Sequence, residues 1–126
     1  MTLYVQTGGT QSTGSRSWSP IPGLEFVIAE GVGATVTIVL NVPNPFSEGA
    51  MLPGGTFGIK VDGKLSAVVA AYSTSNRNAP TGRMPTTLVV GVLLANKRQQ
   101  IRAVWAALPE SNIIIDTPAS LTAIFG

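Results

Sequence analysis

The chain has no cysteine and no histidine among its 126 residues, and only 11% of them are charged. Without cysteine there are no disulfides, no thiol chemistry and no thiolate metal sites, so the redox state of the compartment does not matter. Without histidine the chain loses the usual general base near neutral pH and the commonest metal ligand. The carboxylates are Glu25, Glu30, Glu48, Asp62, Glu110 and Asp116, no two closer than five residues in sequence. Calcium loops, nucleophile elbows and phosphate-binding loops are all missing. The glycine pairs in "TGGTQSTGS" and "LPGGTFG" precede neither a Gly-Lys-Ser/Thr signature nor a helix, so they read as turns. Catalysis is the weakest of the functional readings.

Long hydrophobic runs are missing as well. Hydrophobic residues make up 44% of the chain, yet nothing approaches the roughly 18 apolar residues of a membrane span. The longest stretch, Leu88 to Leu94, is interrupted by Gly91, and no membrane insertion is expected. A soluble domain ordinarily has about a quarter of its residues charged. A chain this poor in charge is expected to bury part of its surface against copies of itself. Arg16, Lys60, Lys64, Arg77, Arg83, Lys97, Arg98 and Arg102 form no run longer than two, and the net charge is +2, which argues against nucleic acid as a partner. The opening "MTLYVQTGG" lacks the basic start and apolar core of a signal peptide. A place at the cell surface or outside the cell would need a non-classical export route.

What is present is period-two alternation, broken by turn residues about every 8 to 12 positions, the pattern of an all-β sandwich or barrel. Thr2 to Gln6 reads as a first strand, followed by a polar stretch to Ser17. Trp18 to Pro22 leads into Leu24, Phe26 and Ile28, which alternate with Glu25 and Val27. "ATVTIVLNV" puts Val36, Ile38, Leu40 and Val42 on one face, and "PNP" ends it because proline supplies no ladder donor. "TFGIKVDGKLSAVVAAYS" is a hairpin whose Asp62-Gly63 pair suits a type I′ turn. Thr86 to Leu94 is apolar on both faces and expected to be covered on both. In the strand from Gln100 to Ala106, Ile101, Ala103 and Trp105 face one way and Gln100, Arg102 and Val104 the other. "NIIID" and "SLTAIF" complete eight or nine strands in one domain spanning residues 1 to 126, an antiparallel two-sheet sandwich without internal repeat. Val39, Val68 to Tyr72 and Leu88 to Leu94 need cover on their outer faces, for which a closed cyclic oligomer is the simplest source.

Several segments carry a resemblance: "IPGL" (Ile21 to Leu24), "VLNVPNP" (Val39 to Pro45), "PTGRMPTTLV" (Pro80 to Val89), Trp105, the "IIID" ending at Asp116, and "ASLTAIFG" (Ala119 to Gly126). In order and spacing they resemble the bacterial lectin domains with a tumour-necrosis-factor-like (TNF-like) jelly-roll fold, represented by the fucose-binding N-terminal domain of a bacterial superlectin. The resemblance implies a homotrimer that binds fucosylated or related glycans in clefts between protomers, without metal or cofactor. It implies that Arg83 donates to adjacent sugar hydroxyls through its planar fork, and that Thr81 adds a hydroxyl and Tyr72 a phenol. Ser73 and Thr56 belong to the same implied group, as do Asp116 and Thr117, which stand where the family has an Asp-Ser pair near the site and either touch the sugar or orient the arginine. The resembling domain continues into a second module, so this chain can be part of a longer protein.

Departures fall on that site. Thr56 replaces a tyrosine, Pro109 a second arginine, Ala71 a threonine and Phe46 a tyrosine, so the preferred sugar can differ. Plainer roles compete: an Arg83–Asp116 ion pair at a turn or a trimer interface, Tyr72 packed at a sheet edge, Trp105 in the core, Trp18 as a sugar-stacking aromatic or a plug over the sandwich end, and Asn76 and Asn78 as loop solubilisers. The alternative to a lectin is a structural trimerisation module of appendage or capsid type that binds no sugar.

Overall fold

The computed structural model describes residues 2–49, 52–74 and 83–126. Its strands are β1 (Thr2–Gln6), β2 (Gln11–Thr13), β3 (Ser19–Ile28), β4 (Thr35–Val42), β5 (Phe46–Gly49), β6 (Gly54–Val61), β7 (Lys64–Leu65), β8 (Ala70–Ser73), β9 (Thr86–Leu93), β10 (Gln99–Ala107), β11 (Ser111–Ile115) and β12 (Ser120–Phe125). There is no helix among the described residues. A four-stranded sheet runs β1-β12-β4-β9, a second runs β3-β10-β6-β7 with β8 also on β6, and a small third runs β2-β11-β5. Every pairing is antiparallel. The architecture is all-β and accords with a β-sandwich.

Alternation explains the core. Val36, Ile38, Leu40 and Val42 of β4 are all at most 2% exposed, and they share one apolar cluster with Phe57, Ile59, Ile101, Ala103 and Trp105 of the second sheet and Ile113 and Ile115 of the third. Burying each large side chain contributes about 1.5 to 3 kcal/mol relative to leaving it in water. The hairpin turn forms as expected: Asp62 and Gly63 take φ of 50° and 81°, and Lys60 pairs with Leu65. Its return strand stops after Leu65, however, and pairing with β6 resumes only at β8.

Three expectations are corrected. The predicted double cover of Thr86 to Leu94 is absent within the chain: Leu88 and Val90 are buried, but Val89 and Leu93 are 54% and 82% exposed. β9 lies at a sheet edge, and a strand sends alternate side chains to opposite faces, only one of which meets the other sheet. The polar stretch before Ser17 contains β2, because the backbone of Ile113 to Ile115 accepts Gln11 to Thr13 as a neighbour. With the split hairpin and β5 this makes twelve strands among the described residues rather than eight or nine.

Val104 faces away from the core, as the alternation requires, and is nonetheless 1% exposed. It pairs with Gly58, and a Cβ at Gly58 would lie 2.8 Å from Leu65 Cδ1 and 3.3 Å from the Trp18 ring. Trp18 and Leu65 therefore cover the outer face of this sheet, and Trp18 plugs a face rather than an end.

Gly54 has no room for a side chain: an added Cβ would lie 2.8 Å from Ser73 Cα and 2.9 Å from Leu108 Cδ1. Gly54→Ala is expected to destabilise the fold by about 1 to 3 kcal/mol through overpacking. Gly8→Ala, with nothing within 4 Å of its added carbon, should leave the midpoint of chemical denaturation nearly unchanged.

Candidate functional site

Three loops converge at the end of the sandwich where β4 finishes. Val42 pairs with Thr86, Phe46 pairs with Ile114, and the Met84 amide donates to the Pro45 carbonyl at 3.0 Å. Register alone thus brings Arg83, just before β9, beside Asn44 to Phe46 and beside Asp116, just after β11.

The Arg83 guanidinium is held on several sides. Nη1 donates to Asp116 Oδ1 at 2.8 Å and Nη2 to Asp116 Oδ2 at 2.9 Å, while Nη1 also donates to the Asn44 carbonyl at 2.8 Å. Its carbon lies 4.6 Å from the centre of the Phe46 ring, a cation–π distance. Thr117 Oγ1 donates to Asp116 Oδ1 at 3.4 Å. Of the five N–H bonds of a guanidinium, the parallel pair on Nε and Nη2 has no partner among the described residues. The two side chains are 32% and 33% exposed, so that edge can meet a ligand from solvent.

The hydrogen bond from Arg83 holds the Asp116 carboxyl below its ordinary value, with its proximity to the guanidinium charge assisting and partial desolvation opposing. The hydrogen bond to Asp116 in turn raises Arg83. The pair is ionised and neutral as a unit, a suitable surface for an uncharged polar ligand.

Tyr72 sits on the far side of β5 from Arg83. It is 8% exposed, its ring stacks on Phe57 at 6.0 Å with an interplanar angle of 13°, and its hydroxyl shares a short hydrogen bond with buried Ser47. Burial raises its phenol above the ordinary value and the bond to Ser47 partly offsets this. Consecutive residues of β5 therefore support both groups, Phe46 under Arg83 and Ser47 against Tyr72. Thr56 Oγ1 donates to the Ala106 carbonyl at 3.1 Å, and Ser73, opposite Gly54, is exposed. Thr81, Asn76 and Asn78 lie outside the described residues.

The structure brings Arg83, Asp116 and Thr117 together, and it commits the hydroxyls of Tyr72 and Thr56 to bonds within the chain. Sequence reasoning missed the Asn44 carbonyl and Ser47. A backbone acceptor leaves no side-chain signal, and Ser47 is an ordinary polar residue of a short strand. Phe46 was legible only as a substitution. No group of His, Cys, Asp and Glu among the described residues could hold a metal.

An all-β domain with an arginine edge presented near the end of a strand offers polar donors to solvent. The model of the Bc2l-C N-terminal domain family matches residues 2–124, and the chain belongs to that family. It is the family of the fucose-binding, TNF-like domain of a bacterial superlectin, a sugar-binding family and not an enzyme family. No curated protein matches the chain. Among solved structures, the VP2 subviral particle of infectious bursal disease virus aligns over 98% of this chain and 36% of its own, at 10% identity and a TM-score of 0.31, too low to carry an argument.

Two predictions follow from this geometry. Because the folded-state pKa of Asp116 is depressed, the unfolded chain binds its proton more readily, and the pair's contribution is complete above the ordinary carboxylate value and lost as pH falls through the depressed one. Acid titration followed by carboxyl-carbon NMR should place Asp116 below the ordinary value, and Arg83→Ala should return it upward. Tyr72→Phe keeps the stacked ring but strands the Ser47 hydroxyl, so thermal or chemical unfolding should show a loss of about 1 to 2 kcal/mol.

Proposed function

We propose that the chain is a lectin domain that trimerises and binds fucosylated or related neutral glycans in clefts between protomers, with Arg83 as the principal reader. The observation that carries this reading is the Nε/Nη2 edge of Arg83, an edge that has no partner among the described residues. Its two parallel N–H bonds suit two adjacent hydroxyl oxygens, and Asp116, Asn44 and Phe46 hold them in place before any ligand arrives, so little ordering is needed on binding. Asp116 and Thr117 act as positioning residues, Ser73 contributes from the rim, and Thr81 adds a hydroxyl contact. Tyr72 and Thr56 support the wall from behind, since their hydroxyls are already used.

Support for the trimer comes from the outer face of the β1-β12-β4-β9 sheet. Its rows are Thr2, Ile124, Thr37, Gly91; Tyr4, Thr122, Val39, Val89; Gln6, Ser120, Asn41, Thr87; and Thr35 with Leu93. None of these residues is charged. A whole sheet face without charge, with Tyr4, Val89, Leu93 and Ile124 each at least 48% exposed, is what an interface presents and a solvated surface does not. Cyclic closure of three copies leaves three identical clefts, and multivalency compensates for weak single sites. Individual affinity should be modest. Ala71, Phe46 and Pro109 offer no side-chain hydrogen bond, and each one lost removes about 1 kcal/mol.

Sedimentation should give three times the chain mass of 13.0 kDa, and Val89→Glu, placing charge on the bare face, should yield monomers. On a glycan array the native trimer should bind, and Arg83→Ala should lose that binding with the trimer intact. Binding indifferent to Arg83 would remove it as the principal reader, and an intact trimer that binds no glycan would leave the structural trimerisation module instead.

A further inference from the structure

A second arginine–carboxylate pair stands on the other large sheet and shares no residue with the Arg83 group. β3 and β10 pair Arg102 with Glu25 and Val104 with Pro20, so the four residues Ile21 to Leu24 stand opposite Ala103 alone. Ile21 and Leu24 both turn into the core, at 1% and 0% exposure. Pro22 and Gly23 must therefore loop outward, and Gly23 takes a φ of 87° that favours glycine. The excursion opens a depression of about 190 Å³ lined by Pro20, Ile21, Pro22, Gly23, Glu25 and Arg102.

The polar side of this depression mirrors the Arg83 group. Arg102 donates from Nε and Nη2 to Glu25 Oε2 at 3.0 and 2.8 Å, and Gln100 Nε2 donates to the same oxygen at 3.4 Å. At Arg83 the carboxylate occupies the Nη1/Nη2 edge and leaves the Nε/Nη2 edge without a partner among the described residues; here it occupies the Nε/Nη2 edge and leaves the Nη1/Nη2 edge so. Glu25 Oε1 also has no partner among the described residues. The pair thus presents two parallel donors and a free acceptor, uncharged overall, beside proline rings. That combination suits adjacent hydroxyls, each able to accept from an N–H and donate to an oxygen, with the apolar face of a small ring on the prolines. Neutrality disfavours phosphate and cations alike.

We infer that the Glu25–Arg102 depression at the β3 bulge is a second, shallower subsite for a neutral monosaccharide unit, separate from the Arg83 site. The inference rests on the lectin reading. It would let each protomer hold two points of a branched glycan, or two chains of a dense one.

The test is an NMR titration of the intact assembly with methyl glycosides of fucose, mannose and galactose, each at millimolar concentration. The amides of Gly23 and Glu25 and the Arg102 Nε–H should shift and saturate with at least one of them. Those shifts should persist in Arg83→Ala and vanish in both Arg102→Ala and Glu25→Ala, which remove exposed side chains and should fold. Shifts confined to the Arg83 region, or shifts at Gly23 that survive both substitutions, would overturn the second subsite and leave the lectin reading standing. No response anywhere would overturn both.

Discussion

Trp105, Phe57 and Ile59 from one sheet share a buried layer with Ile38, Leu40 and Leu121 from another, and every other placement in the molecule depends on that shared burial. Each strand contributes alternate residues to the layer, so strand registers are set by which side chains must leave water; a slip by one residue would turn the apolar set outward. With the registers set, the loops at the strand ends have no freedom to choose their neighbours. Arg83, Asp116 and Asn44 meet because β4 pairs with β9 and β11 with β5.

The ion pairs play a different part. Arg83–Asp116, Arg102–Glu25 and Lys97–Asp62 each join separate segments at partly exposed positions, where water screens them and little stability results. Their effect is to orient. A guanidinium bonded along one edge to a carboxylate loses its rotational freedom and presents the other edge in a defined direction. In a chain with so few charges such fixed edges are scarce, and two arginines among the described residues that have them stand beside apolar surface, one over Phe46 and one beside Pro20 and Pro22.

Much of the fold was legible in the sequence. The alternation of Val36 to Val42 and the Asp62-Gly63 turn are local signals, and both appear in the structure where the residues placed them. β2 was illegible because Gln11 to Thr13 have no apolar face; only the backbone edge of β11 makes them a strand. Val104 was legible in direction and not in burial, since the ring that covers it comes from Trp18, far away in sequence. The site was legible through Arg83 and Asp116, whose residue types announce the pair. The closure of that site by Phe46 and the Asn44 carbonyl was not, nor was the bond of Ser47 to Tyr72 behind it, because a backbone oxygen and a small hydroxyl acquire meaning only from what lies against them.

By itself the sequence determined an all-β chain without thiol, imidazole or transmembrane helix, turned at Asp62-Gly63 and carrying an arginine between a turn and a strand. These features follow from residue type and period two, and need no partner to be read. Only the tertiary structure decided that Arg83 keeps one donor edge without a partner among the described residues, that Tyr72 spends its hydroxyl on Ser47, and that the outer rows of the first sheet carry no charge at all. Each of those depends on strands brought together from distant parts of the chain, and on which atoms are left without a neighbour once the core has closed.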